Sequence, residues 1–496
     1  MSYADLFKLA VPETVLVIAA LVVLAIDLTA MRGMEVRLRF IIGAMVSCIA
    51  CAAAIGWTIV MPVQGELAGG MMVVNPLMQL IKAGILVLTI FTVLISIESD
   101  FTTHVGEYLA LILLATVGMM FLVSAENLLM IFIALELTSL SLYILTAFNK
   151  RNIKSAEAAL KYFLFGGMAA AFMLFGLSLI YGLSGSIQLW EIAGRLGGRA
   201  VDPLLVVALV MTVIGFGFKV AAVPFHLWAP DAYEGAPAPS AALIASGSKV
   251  ASFVVFAKVM TIGFAGTVAG SAAWHEFTSG WLPVVAVVAA LSMVLGNLAA
   301  IVQTSVKRLL AYSAIAHGGY ALLGIMACSD MGVASLIYYV ITYGLTTVGA
   351  FGVVAVVEQT TGDSKLSDFA GLYRRAPLVA FSMMVFMLSL AGIPPLAGFF
   401  GKFYIFTAAI KDGAPGLGIL WLVALAVAMS AVSFYYYLKV LKAAYVADAK
   451  HAADGVKISW FSQIVLLTMA LLVIVLGCFP NLLVGLLARF IAPVPV

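Results

Sequence analysis

Glu136, Lys219, Lys249 and Lys402 are ionisable residues set deep inside long apolar runs. A charge in such a place is costly, and intramembrane ionisable residues are functional by default. Lys249 lies nine residues into its run and Glu136 ten, about 14–15 Å along a helix and close to a bilayer midplane. Desolvation disfavours a lysine's charged form and a neighbouring carboxylate restores it. A lysine held in that balance takes and releases a proton when its partner moves. The chemistry open to these residues is proton transfer, and each charge moved against 100 mV costs about 2.3 kcal/mol.

Two further residues could act as relays. His317 lies eight residues into its run, about 12 Å deep. In line with lysines it could pass protons, whereas an isolated histidine is more often a hydrogen-bonded core residue. Lys161, a few residues into another run, is open to either reading, and His226 reads as structural. Covalent catalysis finds no support, since there is no phosphate loop, metal-ligand cluster or haem-attachment motif. Cys48 and Cys51 form a C-x-x-C with no second pair or histidine nearby, so they read as packing residues.

The elements that position these residues must be membrane helices. Over 496 residues, 64% are hydrophobic and 10% charged, against about 45–50% and 25% in soluble domains. Apolar runs of about 20 residues exclude a β-barrel, whose strands alternate over about 10. Disorder, a disulfide scaffold and a secreted enzyme are excluded as well. The net charge of +3 comes mostly from loop lysines and arginines and points to no nucleic-acid partner.

Fourteen spans follow: Val11–Leu28, Leu38–Val60, Pro76–Ile97, Tyr108–Val123, Asn127–Ala147, Ala159–Tyr181 and Pro203–Trp228, then Ser240–Gly263, Leu282–Val302, Leu309–Ala327, Val333–Val357, Leu378–Ala409, Ile419–Leu438 and Ser459–Phe479. Asp5 and Glu13 precede or open the first span and Arg32, Arg37 and Arg39 follow it, which marks a retained segment with its N-terminus outside. The inner loops then hold those three arginines, Lys150, Arg151, Lys154, Lys307, Arg308, Lys365, Arg374, Arg375, Lys439, Lys442, Lys450 and Lys457. The outer side holds Lys8, Arg195, Arg199, Lys411 and Arg489. Fifteen against five is the asymmetry of the positive-inside rule. Lys82 and Lys258 lie near outer span ends and are expected to snorkel.

Two spans carry helix breakers beside their lysines. In the seventh, Pro224 follows Lys219 and cannot donate to the Val220 carbonyl. In the twelfth, Gly392-Ile393-Pro394-Pro395 precedes Lys402, and the run is roughly 48 Å as straight helix against a 30 Å core. Prolines and glycines are common in membrane helices and often merely kink them. A buried lysine beside each break favours function, because freed carbonyls and water are what an ammonium needs.

The breaks fall fourth in each of two five-helix groups, residues 108–263 and 282–438. An odd number of helices inserts the second copy upside down, so the expected architecture is all-α with two inverted repeats. Residues 1–107 supply three N-terminal helices and 459–496 a C-terminal helix and tail, all in one membrane domain.

Three stretches carry a family likeness: Glu126-Asn127-Leu128-Leu129 through Glu136-Leu137-Thr138-Ser139-Leu140, Lys219-Val220-Ala221-Ala222-Val223-Pro224-Phe225-His226-Leu227-Trp228-Ala229-Pro230-Asp231-Ala232-Tyr233-Glu234-Gly235-Ala236-Pro237, and Gly392-Ile393-Pro394-Pro395 through Lys402. With them the chain resembles the antiporter-like membrane subunits of respiratory complex I. The resemblance implies fourteen helices with two inverted repeats and a Glu136–Lys219 pair. It also implies a central Lys249, a Lys402 on the twelfth helix and a Lys161 near the pair. It places NADH, FMN, iron–sulfur clusters and quinone in partner subunits, with no cofactor in this chain, and implies other membrane subunits as partners in a bacterial inner membrane. Within the family the chain is more similar to the N branch. An L-type chain would continue into a long lateral helix, and an M-type chain would carry glutamate at Lys402. Subunits of cation/proton antiporters and membrane-bound hydrogenases share the motifs and stay open as alternatives, as does a passive structural subunit. Quinone binding by this chain is disfavoured.

Three geometric expectations follow. Glu136 and Lys219 should lie within direct or single-water reach. Lys402, with no acid in its own span, should be supported by freed carbonyls or water and coupled to Lys249 through His317. Asp231 and Glu234, between Pro230 and Pro237, make either a turn or a proton-collecting mouth.

Overall fold

The computed structural model describes residues 7–60, 64–67, 69–198, 202–265, 270–273, 276–411, 418–448 and 458–491. Asp5, Arg199, Lys450, Lys457 and the last five residues of the tail lie outside them. Twelve described helices are long and apolar enough to cross a membrane. The two spans expected to be broken supply the rest: Pro203–Lys219, followed by Trp228–Gly235, and the half-helices Pro377–Ala391 and Ala397–Lys411.

Span starts are set by short polar caps. The side chains of Asn75, Asn127, Asn152 and Asp202 accept from Met78, Leu129, Lys154 and Leu205 backbone N–H groups at 2.8–3.0 Å. These caps satisfy donors that a helix N-terminus leaves free. The sixth and eleventh spans, Ile153–Ser184 and Asp330–Thr361, each run 32 residues and stop at a left-handed glycine, Gly185 and Gly362. Both extend past the expected bounds, because polar first turns continue the helix beyond the apolar run.

The eighth span differs from expectation. It is split into Ala238–Ala245 and Gly247–Lys258, with a π-helical turn Val259–Gly263 at its end. Ser246 carries the bend (φ −119°, ψ −87°), at a Ser-Gly pair of the kind that kinks helices. The apolar stretch of this span is fully buried, and those of the tenth (Val306–Met326) and eleventh nearly so. They form the axis of the bundle, with the more exposed spans around them.

Loops assigned to one side of the membrane touch one another. Glu126 N–H donates to the Gly70 carbonyl and Leu128 N–H to Ile187, each at 2.8 Å. On the other side Val306 N–H donates to Ser364 and Leu366 N–H to Thr304. Two small hairpins, β1 (Gly65–Leu67) with β2 (Met72–Val74) and β3 (Ser271–Ala273) with β4 (Glu276–Thr278), follow the second and eighth spans. A short amphipathic helix, Asn481–Ile491, follows the fourteenth.

Candidate functional site

The helix that carries Lys219 ends at that residue, and a non-helical passage through the cis Val223–Pro224 bond follows. Lys219 Nζ donates to Ser139 Oγ on the fifth span, Leu128–Thr146. The rings of Phe218 and Tyr143 flank it, with centroids 5.4 and 5.9 Å away. Glu136 and Lys219 form no direct ion pair in this structure. Among the described residues Glu136 makes no ion pair, and its buried Oε1 has no hydrogen-bond partner. Ser139 stands three residues after Glu136, on the same face of the fifth span, and takes the ammonium first. Glu136 still acts on Lys219 through space.

Three residues past the Ser246 bend, Lys249 Nζ donates to the Ala314 carbonyl of the tenth span at 2.6 Å. The Tyr343 ring lies 6.0 Å from the same nitrogen. Lys402 Nζ donates to the Leu390 and Ala391 carbonyls at 3.0 Å each and to Ser430 Oγ at 2.8 Å. Residues four further on are Pro394 and Pro395, which have no N–H to give those carbonyls. The sequence break therefore builds the lysine's own solvation shell. Gly392 (φ +89°) permits this approach, since a Cβ there would meet Lys402 Cδ at 3.1 Å.

His317 joins the two lysines. Its Nδ1 lies 2.7 Å from Tyr339 Oη and its Nε2 3.0 Å from Tyr437 Oη. Tyr437 Oη in turn lies 2.5 Å from Ser313 Oγ. The Tyr343 ring beside Lys249 is 4.9 Å from the imidazole, and the Tyr320 ring is 5.6 Å from the imidazole and 5.2 Å from Lys402 Nζ. Both lysines act on His317 electrostatically. The order across the centre is Lys249, Tyr343, His317, Tyr320, Lys402.

Lys161 is not part of this line. It is partly exposed and pairs with Glu157 at 2.7 Å and Asp231 at 2.8 Å. Arg308 pairs with Asp231 at 2.7 Å and Glu234 at 3.0 Å, and Lys154 with Glu234 at 3.3 Å. Asp231 and Glu234 thus tie the short helix Trp228–Gly235 to the sixth and tenth spans. Burial pushes the Asp231 carboxyl up, but Lys161 and Arg308 outweigh it and hold it below the usual carboxylate range. His226 lies in the seventh-span break, half-buried, with its Nδ1 making no hydrogen bond among the described residues.

Lys82 and Lys258 do not snorkel. Lys82 is 1% exposed and pairs at 2.6 Å with Glu13, equally buried. Lys258 pairs with Glu126 at 3.1 Å and donates to the Val123 carbonyl at 2.8 Å. Each found a carboxylate on another element, which a residue count along its own span does not reveal.

Residues 125–433 match the family described as NADH:quinone oxidoreductase/Mrp antiporter, transmembrane. A protein of Acidobacterium capsulatum named NADH-quinone oxidoreductase subunit N 2 is 51% identical over 97% of this chain and 98% of its own length. The chain belongs to this family. Within the antiporter family's matched region lie Glu136, Lys161, Lys219, Lys249, His317 and Lys402, while Glu13 and Lys82 fall before it. A chain in the respiratory complex I of Thermus thermophilus with bound aureothin is 31% identical, with a TM-score of 0.76 over 96% of this chain and 98% of that one. A chain of the Mrp complex from a Dietzia species shares the fold (20% identity, TM-score 0.82, covering 98% and 97%).

Ser139, Ser430, Tyr339, Tyr343 and Tyr437 went unflagged in the sequence. Hydroxyls in this antiporter-family bundle commonly bond to the carbonyl four residues back, as Thr342 does to Tyr338. Composition does not separate those from the few that reach a lysine or histidine.

Proposed function

We propose that the chain is the proton-carrying, antiporter-like subunit of N type in a bacterial NADH–quinone oxidoreductase. It lies in the inner membrane with both termini on the outer side. NADH, FMN, iron–sulfur clusters and quinone belong to partner subunits, and no redox chemistry occurs here. Glu136, Lys219, Lys249 and Lys402 carry protons along the midplane, His317 links the last two, and Lys161 stabilises the inner end of the first half. Ser139 completes the Glu136–Lys219 step.

The observation that carries the reading is the continuous set of cation–π and ring contacts from Lys249 through His317 to Lys402. A purely structural lysine would be locked to a carboxylate, as Lys82 is to Glu13. Lys249 and Lys402 are instead held by neutral carbonyls and a hydroxyl, which accept an ammonium but do not forbid its deprotonation. The equal lengths of the sixth and eleventh spans, third in each five-helix group, support the inverted-repeat arrangement.

The test is proton translocation driven by NADH oxidation in membranes where assembly is verified. Lys249→Ala is expected to assemble and to lose translocation; parental translocation would refute the reading. The second reading, a subunit of a cation/proton antiporter, is favoured by the shared fold with the Mrp chain. Isolation of the native assembly decides between them, since FMN and iron–sulfur proteins accompany the chain only under the first.

A further inference from the structure

A cavity of about 530 Å³ opens between the loops assigned to the inner side, and its lining includes Glu234, Lys307, Ala355, Glu358 and Asp363. Lys307 is one of the inner-loop charges, yet its side chain is 5% exposed. It pairs with Glu358 at 2.7 Å and donates to the Ala236 carbonyl at 3.0 Å. It thereby ties the cavity's edge to the residues that open the eighth span, the span that carries Lys249.

From Glu358 one face of the eleventh span leads inward. Glu358, Val354, Phe351, Thr347 and Tyr343 follow at spacings of four, three, four and four, so they share one side of the helix. Tyr343 faces Lys249. Thr347 lies within side-chain reach of the Tyr343 hydroxyl, but its buried Oγ1 makes no well-formed hydrogen bond among the described residues. Tyr233, from the short helix after the seventh-span break, packs its ring 5.8 Å from Phe351. Its buried Oη likewise has no hydrogen-bond partner among the described residues. Two buried hydroxyls with free hydrogen-bonding capacity flank the stretch between an ion-paired mouth and a buried lysine. Leaving such groups unsatisfied costs stability, and water-mediated bonds would satisfy them.

We propose that this is the inner proton-uptake route to Lys249, with the Lys307–Glu358 pair as its gate. It rests on the proton-translocating reading above and names the supply to its central lysine. When Lys307 leaves Glu358, the carboxylate takes a proton from inner water. Between Glu358 and Tyr343 the helix rises about 22 Å, so water carries the proton between the hydroxyls. Each hydroxyl of Tyr233, Thr347 and Tyr343 accepts a proton on its oxygen and releases its own onward, and the neutral Lys249 amine ends as an ammonium. Because Lys307 also holds Ala236, movement of the turn that leads into the eighth span opens or closes the mouth.

The experiment uses the intact assembly in membrane vesicles, with translocation driven by NADH oxidation. Thr347→Val keeps shape and removes only the hydroxyl beside Tyr343. It is expected to assemble normally and to lower translocation about tenfold, less than the roughly hundredfold or more for outright loss of a positioned proton-transfer group, because water partly replaces the hydroxyl. Thr347→Ser should restore the rate. The slowing in D2O should grow in Thr347→Val as proton delivery becomes limiting, a change that a packing defect would not produce. Glu358→Gln should lower translocation similarly. Parental rates in both Thr347→Val and Glu358→Gln overturn the route. Lys249→Ala, measured alongside, separates the cases: if it alone fails to translocate, only the uptake route falls, whereas if it translocates normally the underlying reading falls.

Discussion

Lys402 donates to the Leu390 carbonyl at 3.0 Å, across a break in the helix that both residues flank. The bond exists because Pro394 cannot fill that acceptor. The Ala391 carbonyl is free for the same reason, with Pro395 four residues on. The lysine and the prolines are one device, in which the chain spends two helical hydrogen bonds to create a polar pocket at membrane depth.

Lys402→Ala should leave those carbonyls unpaired and Ser430 without its donor, yet the half-helices remain packed. Assembly is expected to persist, with translocation reduced about a hundredfold or more, as for loss of a group acting in proton transfer. Lys402→Arg keeps the charge, but a guanidinium does not release its proton in the working range. It should impair translocation as well. Parental translocation in both variants would remove Lys402 from the path.

Ser139, three residues after Glu136, accepts the hydrogen bond of Lys219. Ser139→Ala should slow translocation several-fold, less than Glu136→Gln, because the carboxylate still acts on Lys219 through space. Equal losses in the two variants would make Ser139 indispensable. No loss in Ser139→Ala would show that Lys219 reaches Glu136 directly during turnover.

The depth of Lys249 and Lys402 and both broken spans were legible because apolar runs and prolines are local signals. The loop charges gave the span count for the same reason. The Ser246 bend was not, since a Ser-Gly pair looks like ordinary small-residue packing. Lys82 was misread as snorkelling because its partner Glu13 lies sixty-nine residues away on another span. The Tyr339–His317–Tyr437 triad has the same cause: three spans meet, and no single one shows a pattern. Depth is written in one dimension and pairing in three.

Asp231 tests the proton-collecting alternative for the loop after the seventh span. Its carboxyl is held low by Lys161 and Arg308 against the opposing effect of burial. A depressed native value means that its stabilisation is present above the ordinary aspartate value of about 3.9 and is lost as pH falls through the native one. It stays ionised at working pH. The stability difference between the parental assembly and Asp231→Asn should therefore be constant from pH 5 to 8, about 1 kcal/mol or less for so exposed a pair, and shrink only below about pH 4. Thermal inactivation measured across that range is the check. A difference that changes between pH 6 and 8 would return Asp231 to the proton path.

The Glu13–Lys82 pair makes the opposite case, a buried charge pair with a structural role. Both side chains are 1% exposed and 2.6 Å apart, and they join the first span to the third. Removing one partner strands the other charge inside the bundle, at a cost of about 3–5 kcal/mol. Lys82→Met alone, or Glu13→Leu alone, is therefore expected to lower the assembly's thermal stability sharply. The double variant replaces the pair with apolar groups and should recover most of the loss, because no orphan charge remains. Translocation by the double variant should match the parental rate per assembled complex, which separates this pair from Lys249 and Lys402. If the double variant folds and assembles but fails to translocate, Glu13 and Lys82 belong with the proton-carrying residues, and charge pairing does not distinguish the two kinds of buried lysine in this chain.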